Sequence, residues 1–180
     1  TALQDALASS GQFGIQAAVK IPGLSAWEAA VGSTGPDGTT ELNPRDRLKI
    51  GQIAGTFLVG ALFELQEEDD KVELWKVPSE WIETPAEYGM SVHQILGHIS
   101  GIPDFRNGTE FDPSRDWTLD ELAELVRDQG VLWGPGSDWS ESFTDYVVAA
   151  QVLEHLTGQD WRSNIEERLL DPYGLVHTEF

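Results

Sequence analysis

Two pairs of residues have the types and spacing to invite chemistry. His98 and Ser100, separated only by Ile99, are a base and a hydroxyl close along the chain. Such a pair carries out acyl transfer only when a third group orients the imidazole, and local spacing supplies none. A histidine followed by Ser-Gly at a helix end more commonly turns and caps the backbone. Gln52 and Gly55 stand at the start of a helical pattern and share one face near its positive end. A glutamine amide there donates and accepts hydrogen bonds but is no useful nucleophile, and glycine offers no base. Metal chemistry finds no support. Glu67, Glu68, Asp69 and Asp70 are consecutive, so their side chains diverge, and His155 and His177 lack a second ligand at metal spacing on their own element. No metal and no cofactor is expected.

The elements that must position these residues are legible in outline. Ala2 to Ala8 reads as a short helix with Leu3 and Leu7 on one face. Phe13 to Ile21 and Ala26 to Val31 read as two strands joined by the Pro22-Gly23 turn. Leu48 to Ile50 reads as a short apolar strand leading to Gln52. Ile53, Ala54, Phe57, Leu58, Ala61, Leu62 and Leu65 then form the stripe of a buried helix, which the acidic run should end at its negative terminus, with an exit turn at Asp70 and Lys71. Ser91 with Gln94, and Thr118 with Glu121, have the form of capping boxes. Further helices are expected from Tyr146 to Leu156 and around Trp161, Ile165 and Leu169.

Composition sets outer bounds. The chain of 180 residues, 40% of them hydrophobic, is long enough for a sizeable core. No run suits a membrane span, and Thr1 to Ser10 lacks the pattern of a signal peptide, so a soluble chain is expected. The formal charge of -20 repels nucleic acid and anionic membrane surfaces. With no cysteine there is neither a disulfide framework nor thiolate chemistry. Asn107-Gly108-Thr109 fits a glycosylation acceptor, but also a common turn, the simpler reading.

Three segments carry a resemblance. Leu48-Lys49-Ile50-Gly51-Gln52-Ile53-Ala54-Gly55-Thr56-Phe57 resembles the segment by which the serine β-lactamase and D-Ala-D-Ala carboxypeptidase family introduces its Ser-x-x-Lys nucleophile. Gln94-Ile95-Leu96-Gly97-His98-Ile99-Ser100-Gly101-Ile102-Pro103 resembles the family's Leu-Leu-x-His-x-Ser-Gly-Leu-Pro wall segment. Pro135 to Tyr146 is similar to its Pro-Gly-Thr-x-Phe-x-Tyr-Ser-Asn-x-x-Tyr. The resemblance implies that Gln52 and Gly55 occupy the serine and lysine positions, and Glu141 and Phe143 those of the relay tyrosine and the substrate-holding asparagine, with Ser142 kept between them. It also implies that Gln52, Gly55, His98, Ser100, Ser142 and Phe143 line the cleft, with Glu141 beside Gln52.

The fold so implied is α/β plus all-α, a β-lactamase/transpeptidase-like fold whose C-terminal sheet strands have no counterpart here. Residues 1-66 would form a partial α/β region with the motif helix, and 67-180 a helical region. An incomplete sheet calls for a second polypeptide or a second copy to complete it. The four substitutions point to a catalytically degenerate member that binds a small-molecule or peptide ligand or supports an assembly. Two alternatives stand beside it: non-covalent acid/base chemistry at Glu141, or the first half of a hydrolase completed by another chain. Trp133 and Trp139 are candidates for an aromatic pocket wall.

Overall fold

The structure, a computed structural model, describes residues 1–69, 72–76, 78 and 89–180, which form two compact units, Thr1–Lys49 and Ile50–Phe180. The expected exit turn at Asp70 and Lys71 lies outside the described residues.

In the first unit, helix α1 (Ala2–Ser10) opens with a reciprocal capping box between Thr1 and Gln4 and ends at Gly11 in the left-handed conformation. Strands β1 (Gly14–Val19) and β2 (Trp27–Gly32) follow as an antiparallel hairpin, in register from Gly14 opposite Gly32 to Val19 opposite Trp27. Gly32, at φ +90, lets Leu7 of α1 approach the strand backbone: a Cβ there would meet the leucine methyl at 2.9 Å and Phe13 O at 2.2 Å. Among the described residues this pair is the whole sheet.

No strand forms at Leu48 to Ile50, contrary to the sequence expectation. An apolar run needs a partner edge to become a strand; among the described residues these have none, and Leu48 is more than half exposed.

The second unit is helical. A 3₁₀ turn (Gly51–Ile53) leads into α2 (Ala54–Glu68), followed by α3 (Val92–Leu96), α4 (Leu119–Glu124), α5 (Phe143–Thr157) and α6 (Trp161–Ile165), which runs on as a π turn over Glu166–Leu170. Gln52 thus sits in the 3₁₀ turn before α2, and Ile53 is exposed instead of joining the apolar stripe. The rest of the stripe behaves as its period demands: Leu58, Ala61, Leu62 and Leu65 face the core. The acidic end of α2 is partly offset by Arg168, whose guanidinium donates to Glu68. Both capping boxes form, Ser91 with Gln94 and Thr118 with Glu121. At the centre of this unit α5 buries Val147 to Ala150, Val152 and Leu153 against α2, α3 and α6. No described helix is long and apolar enough to cross a membrane.

Candidate functional site

The site is assembled at the N-terminal ends of α2 and α5 and at the turn after α3. The α3 capping box fixes where that helix starts, and the chain leaves it through Gly97 into His98, the one described non-glycine residue with positive φ (+55). That left-handed turn sends the imidazole toward α5. Gly101, at φ +79, follows because a Cβ would lie 2.4 Å from Trp133 O. The segment is laced to the loop before α5 by backbone bonds: Leu132 N–H donates to Gly101 O (2.8 Å), Gly136 N–H to Ile99 O (2.7 Å) and Ser140 N–H to His98 O (3.0 Å).

His98 and Ser100 converge on a carboxylate that local sequence did not reveal. Asp145, in the first turn of α5 and 1% exposed, stands 2.9 Å through Oδ2 from His98 Nδ1 and accepts the Ser100 hydroxyl at Oδ1, 2.6 Å away. Ser100 Oγ accepts the Ile102 N–H at 3.0 Å. Its hydroxyl is therefore committed to shaping the turn and holding Asp145. On its other side, His98 Nε2 lies 3.0 Å from Tyr146 Oη, with the two rings edge to face. Burial pushes the Asp145 carboxyl above the usual range, with the hydrogen bonds from His98 and Ser100 opposing it. Burial, then the charges of Glu141 and Asp145, pushes the Tyr146 phenol up, so it stays protonated at neutral pH.

Gly55 is buried beneath Tyr146. A Cβ at position 55 would lie 2.4 Å from Tyr146 Cζ and 2.9 Å from its hydroxyl. No side chain fits there with the tyrosine in place.

Gln52 Nε2 donates to Glu141 Oε2 at 3.2 Å, which puts these two residues side by side. Gln52 is exposed and Glu141 half-buried. Ser142 is buried, and its Oγ has no hydrogen-bond partner among the described residues. Phe143 is held from two directions: its N–H donates to Asp104 Oδ2 (3.3 Å), and the Arg106 guanidinium lies 3.4 Å from its ring centroid. Arg106 also binds Asp104 through Nε and Nη2, at 2.6 Å for the shortest contact. Burial would raise the Asp104 carboxyl, but the bonds from Arg106 and the Phe143 N–H outweigh it and hold the group below its usual range.

Beside these residues opens a cavity of about 210 Å³, lined by Gln52, Gly55, Leu58, Phe143, Tyr146 and Trp161 among others, almost entirely apolar. His98, Ser100 and Ser142 stand behind its wall in the hydrogen-bond network, and Glu141 is at Gln52. Its tryptophan is Trp161. Trp139 is largely exposed, and Trp133 packs over Gly101 instead. Among the described residues no group of three histidines or acids could hold a metal ion.

Asp145, Asp104 and Arg106 are not singled out in the sequence, and Tyr146 enters only as the end of a family-like segment and the start of a helix, not as a site residue. The available signal for Asp145 was an acid inside the otherwise apolar helical stretch Phe143 to Ala150, where a buried charge needs partners.

Comparison with known proteins adds a context for this geometry. The model of the family described as Beta-lactamase matches residues 1–180. The chain is 23% identical over 146 residues to Penicillin-binding protein 4* of Bacillus subtilis (strain 168), covering 76% of this chain and 31% of that protein. It is 25% identical over 142 residues to the Teichoic acid D-alanine hydrolase of Staphylococcus aureus, covering 76% and 33%. Among solved structures it superposes on D-amino acid amidase from Ochrobactrum anthropi SV3 complexed with L-phenylalanine, with a TM-score of 0.84 and 25% identity over 96% of this chain and 48% of that one. The octameric penicillin-binding protein homologue from Pyrococcus abyssi shares the fold, with a TM-score of 0.80 at 22% identity, over 95% of this chain and 41% of that one. The chain thus spans about a third of the length of these curated relatives and under half of these structures.

Proposed function

The chain belongs to the beta-lactamase family, and from that membership we propose that it is a member in which the acyl-enzyme machinery is lost and the cleft serves ligand binding or assembly. One observation carries the reading: the volume a lysine side chain would need at position 55 is filled by the ring of Tyr146. Alongside it, position 52 carries an amide whose donor group is already engaged by Glu141. In the Ser-x-x-Lys scheme the two positions work as a unit, and loss of either member costs orders of magnitude in rate. The cavity next to Gln52 offers a small-molecule or peptide ligand an apolar seat.

The test is intact-mass analysis after incubation with a fluorescent penicillin and with a fluorophosphonate, together with native mass. This reading expects the chain to stay unlabelled. An adduct on it would overturn the reading. If a second polypeptide co-purifies and takes the label, the chain is the supporting half of a composite hydrolase, a role favoured by the sheet, which among the described residues has two strands.

A second reading, non-covalent acid/base chemistry, is favoured by the Glu141–Gln52 contact of 3.2 Å at the cavity. Ligand turnover that survives in Glu141→Gln would remove that residue from it.

A further inference from the structure

We propose that Tyr146 is the proton-transferring residue of this cleft, acting with His98 and Asp145 as a hydroxyl–imidazole–carboxylate relay on an uncharged, largely apolar ligand in the adjoining cavity. The inference keeps the non-covalent acid/base chemistry of the second reading but moves the base from Glu141 to Tyr146, and it rests on the cleft still holding a ligand.

The direction of the relay follows from its hydrogen bonds. Ser100 has one proton to give, and Asp145 Oδ1, at 2.6 Å, receives it. With Asp145 ionised, Oδ2 receives the Nδ1 proton of His98 over 2.9 Å. The Ser142 N–H also approaches Nδ1, but at 3.5 Å it is at the outer limit of a hydrogen bond and does not decide the tautomer. Nε2 is then left unprotonated and accepts from Tyr146 Oη at 3.0 Å. A hydroxyl backed by an imidazole that a buried carboxylate holds in one tautomer is the arrangement that makes a hydroxyl oxygen a proton acceptor at neutral pH.

The ligand side follows from packing. Tyr146 contributes to the cavity wall next to Gly55. A side chain at position 55 would collide with its ring and hydroxyl, so glycine is what lets the tyrosine lie at the cavity edge. The nearly uniform apolar lining favours an uncharged body such as an aromatic ring over an ion. When a ligand C–H or O–H proton passes to Tyr146 Oη, the phenolic proton passes to His98 Nε2, and the imidazolium so formed is stabilised by Asp145. No oxidant or covalent intermediate is required.

The probe is nitrobenzisoxazole, a flat, neutral aromatic molecule. Removal of its one acidic C–H proton breaks the ring N–O bond and releases a coloured cyanophenolate, so the reaction reports a base beside an apolar seat. The protein is expected to accelerate the opening over buffer. Tyr146→Phe and His98→Asn should each lower kcat by about a hundredfold with KM little changed, whereas Tyr173→Phe, at an exposed tyrosine bonded to Glu64, should behave as the parent. Asparagine is chosen at position 98 because it tolerates the positive φ there, and circular dichroism verifies the fold of each variant. Absence of acceleration overturns the proposal, as does full activity in folded Tyr146→Phe. Activity lost only in Glu141→Gln assigns the base to Glu141 and overturns it equally. Nitrogen NMR of the parent protein tests the relay independently of any variant: His98 should carry its proton on Nδ1, and a proton on Nε2 at neutral pH reverses the direction and sinks the idea. Penicillin labelling separates this result from the reading above, because an unlabelled but inactive protein fails here alone.

Discussion

The ring of Tyr146 lies so close over Gly55 that the two positions are sterically one: a Cβ on the glycine would stand 2.4 Å from Tyr146 Cζ. Glycine inside a helix ordinarily costs about 0.5–1 kcal/mol relative to alanine, so Gly55→Ala would normally stabilise α2. Here we predict the reverse, a loss of about 1–3 kcal/mol by urea denaturation from overpacking. In the Tyr146→Ala background the same change should become neutral or favourable, a coupling that a double-mutant cycle measures. Equal effects in both backgrounds would show that the tyrosine yields freely.

That steric exclusion also governs attempts to rebuild the serine machinery. Gln52→Ser with Gly55→Lys should remain unlabelled by fluorescent penicillin, because the new lysine finds its volume occupied. Labelling should appear only when Tyr146 is also reduced to alanine. A labelled double variant would refute this account of the site.

Asp104 gives the fold a defined acid sensitivity. Its carboxyl is more acidic in the folded protein than in the unfolded chain, where the usual value is about 3.9. The stability it supplies is therefore complete above that value and is lost as pH falls through the lower folded value. Urea midpoints should show Asp104→Asn clearly less stable than the parent at neutral pH, with the gap narrowing near pH 3 (~1 unit below the unfolded value). A gap that stays constant would mean the charge of Asp104 is not what stabilises the site.

Asn164, on the helix that carries Trp161, is a second buried polar anchor. Fully buried, it donates to Thr157 Oγ1 at 2.9 Å and to the carbonyls of Gln159 and Asp160, and it accepts from Arg168 Nε at 3.2 Å. Asn164→Ala should cost about 1–3 kcal/mol, since it strands several buried groups at once. Thermal melting is the readout, and a change of under about 0.5 kcal/mol would show that water replaces the amide.

What was legible in the sequence is what depends on neighbours in the chain. The capping boxes at Ser91 and Thr118, the hairpin, and the apolar stripe of α2 from Leu58 onward all rest on spacings of a few residues, and each is present. The family segments also gave the positions of Gln52 and Glu141, which do lie side by side. The strand expected at Leu48 to Ile50 failed because alternating apolar residues say nothing about whether an edge is free to pair with them. The third partner for His98 and Ser100 stayed hidden for a similar reason. Asp145 lies 47 and 45 residues further along the chain, and only the packing of α5 against α3 brings it back.

The backbone bonds from Leu132, Gly136 and Ser140 to Gly101, Ile99 and His98 have a kinetic consequence. Partners 31 to 42 residues apart in the chain are joined through main-chain atoms, so neither segment can loosen without the other, and closing the intervening loop is the entropic toll on forming the site. The amides of these three residues should exchange with solvent together, in one opening event. Exchange at three unrelated rates would mean that the turn carrying His98 is held by its own glycines alone.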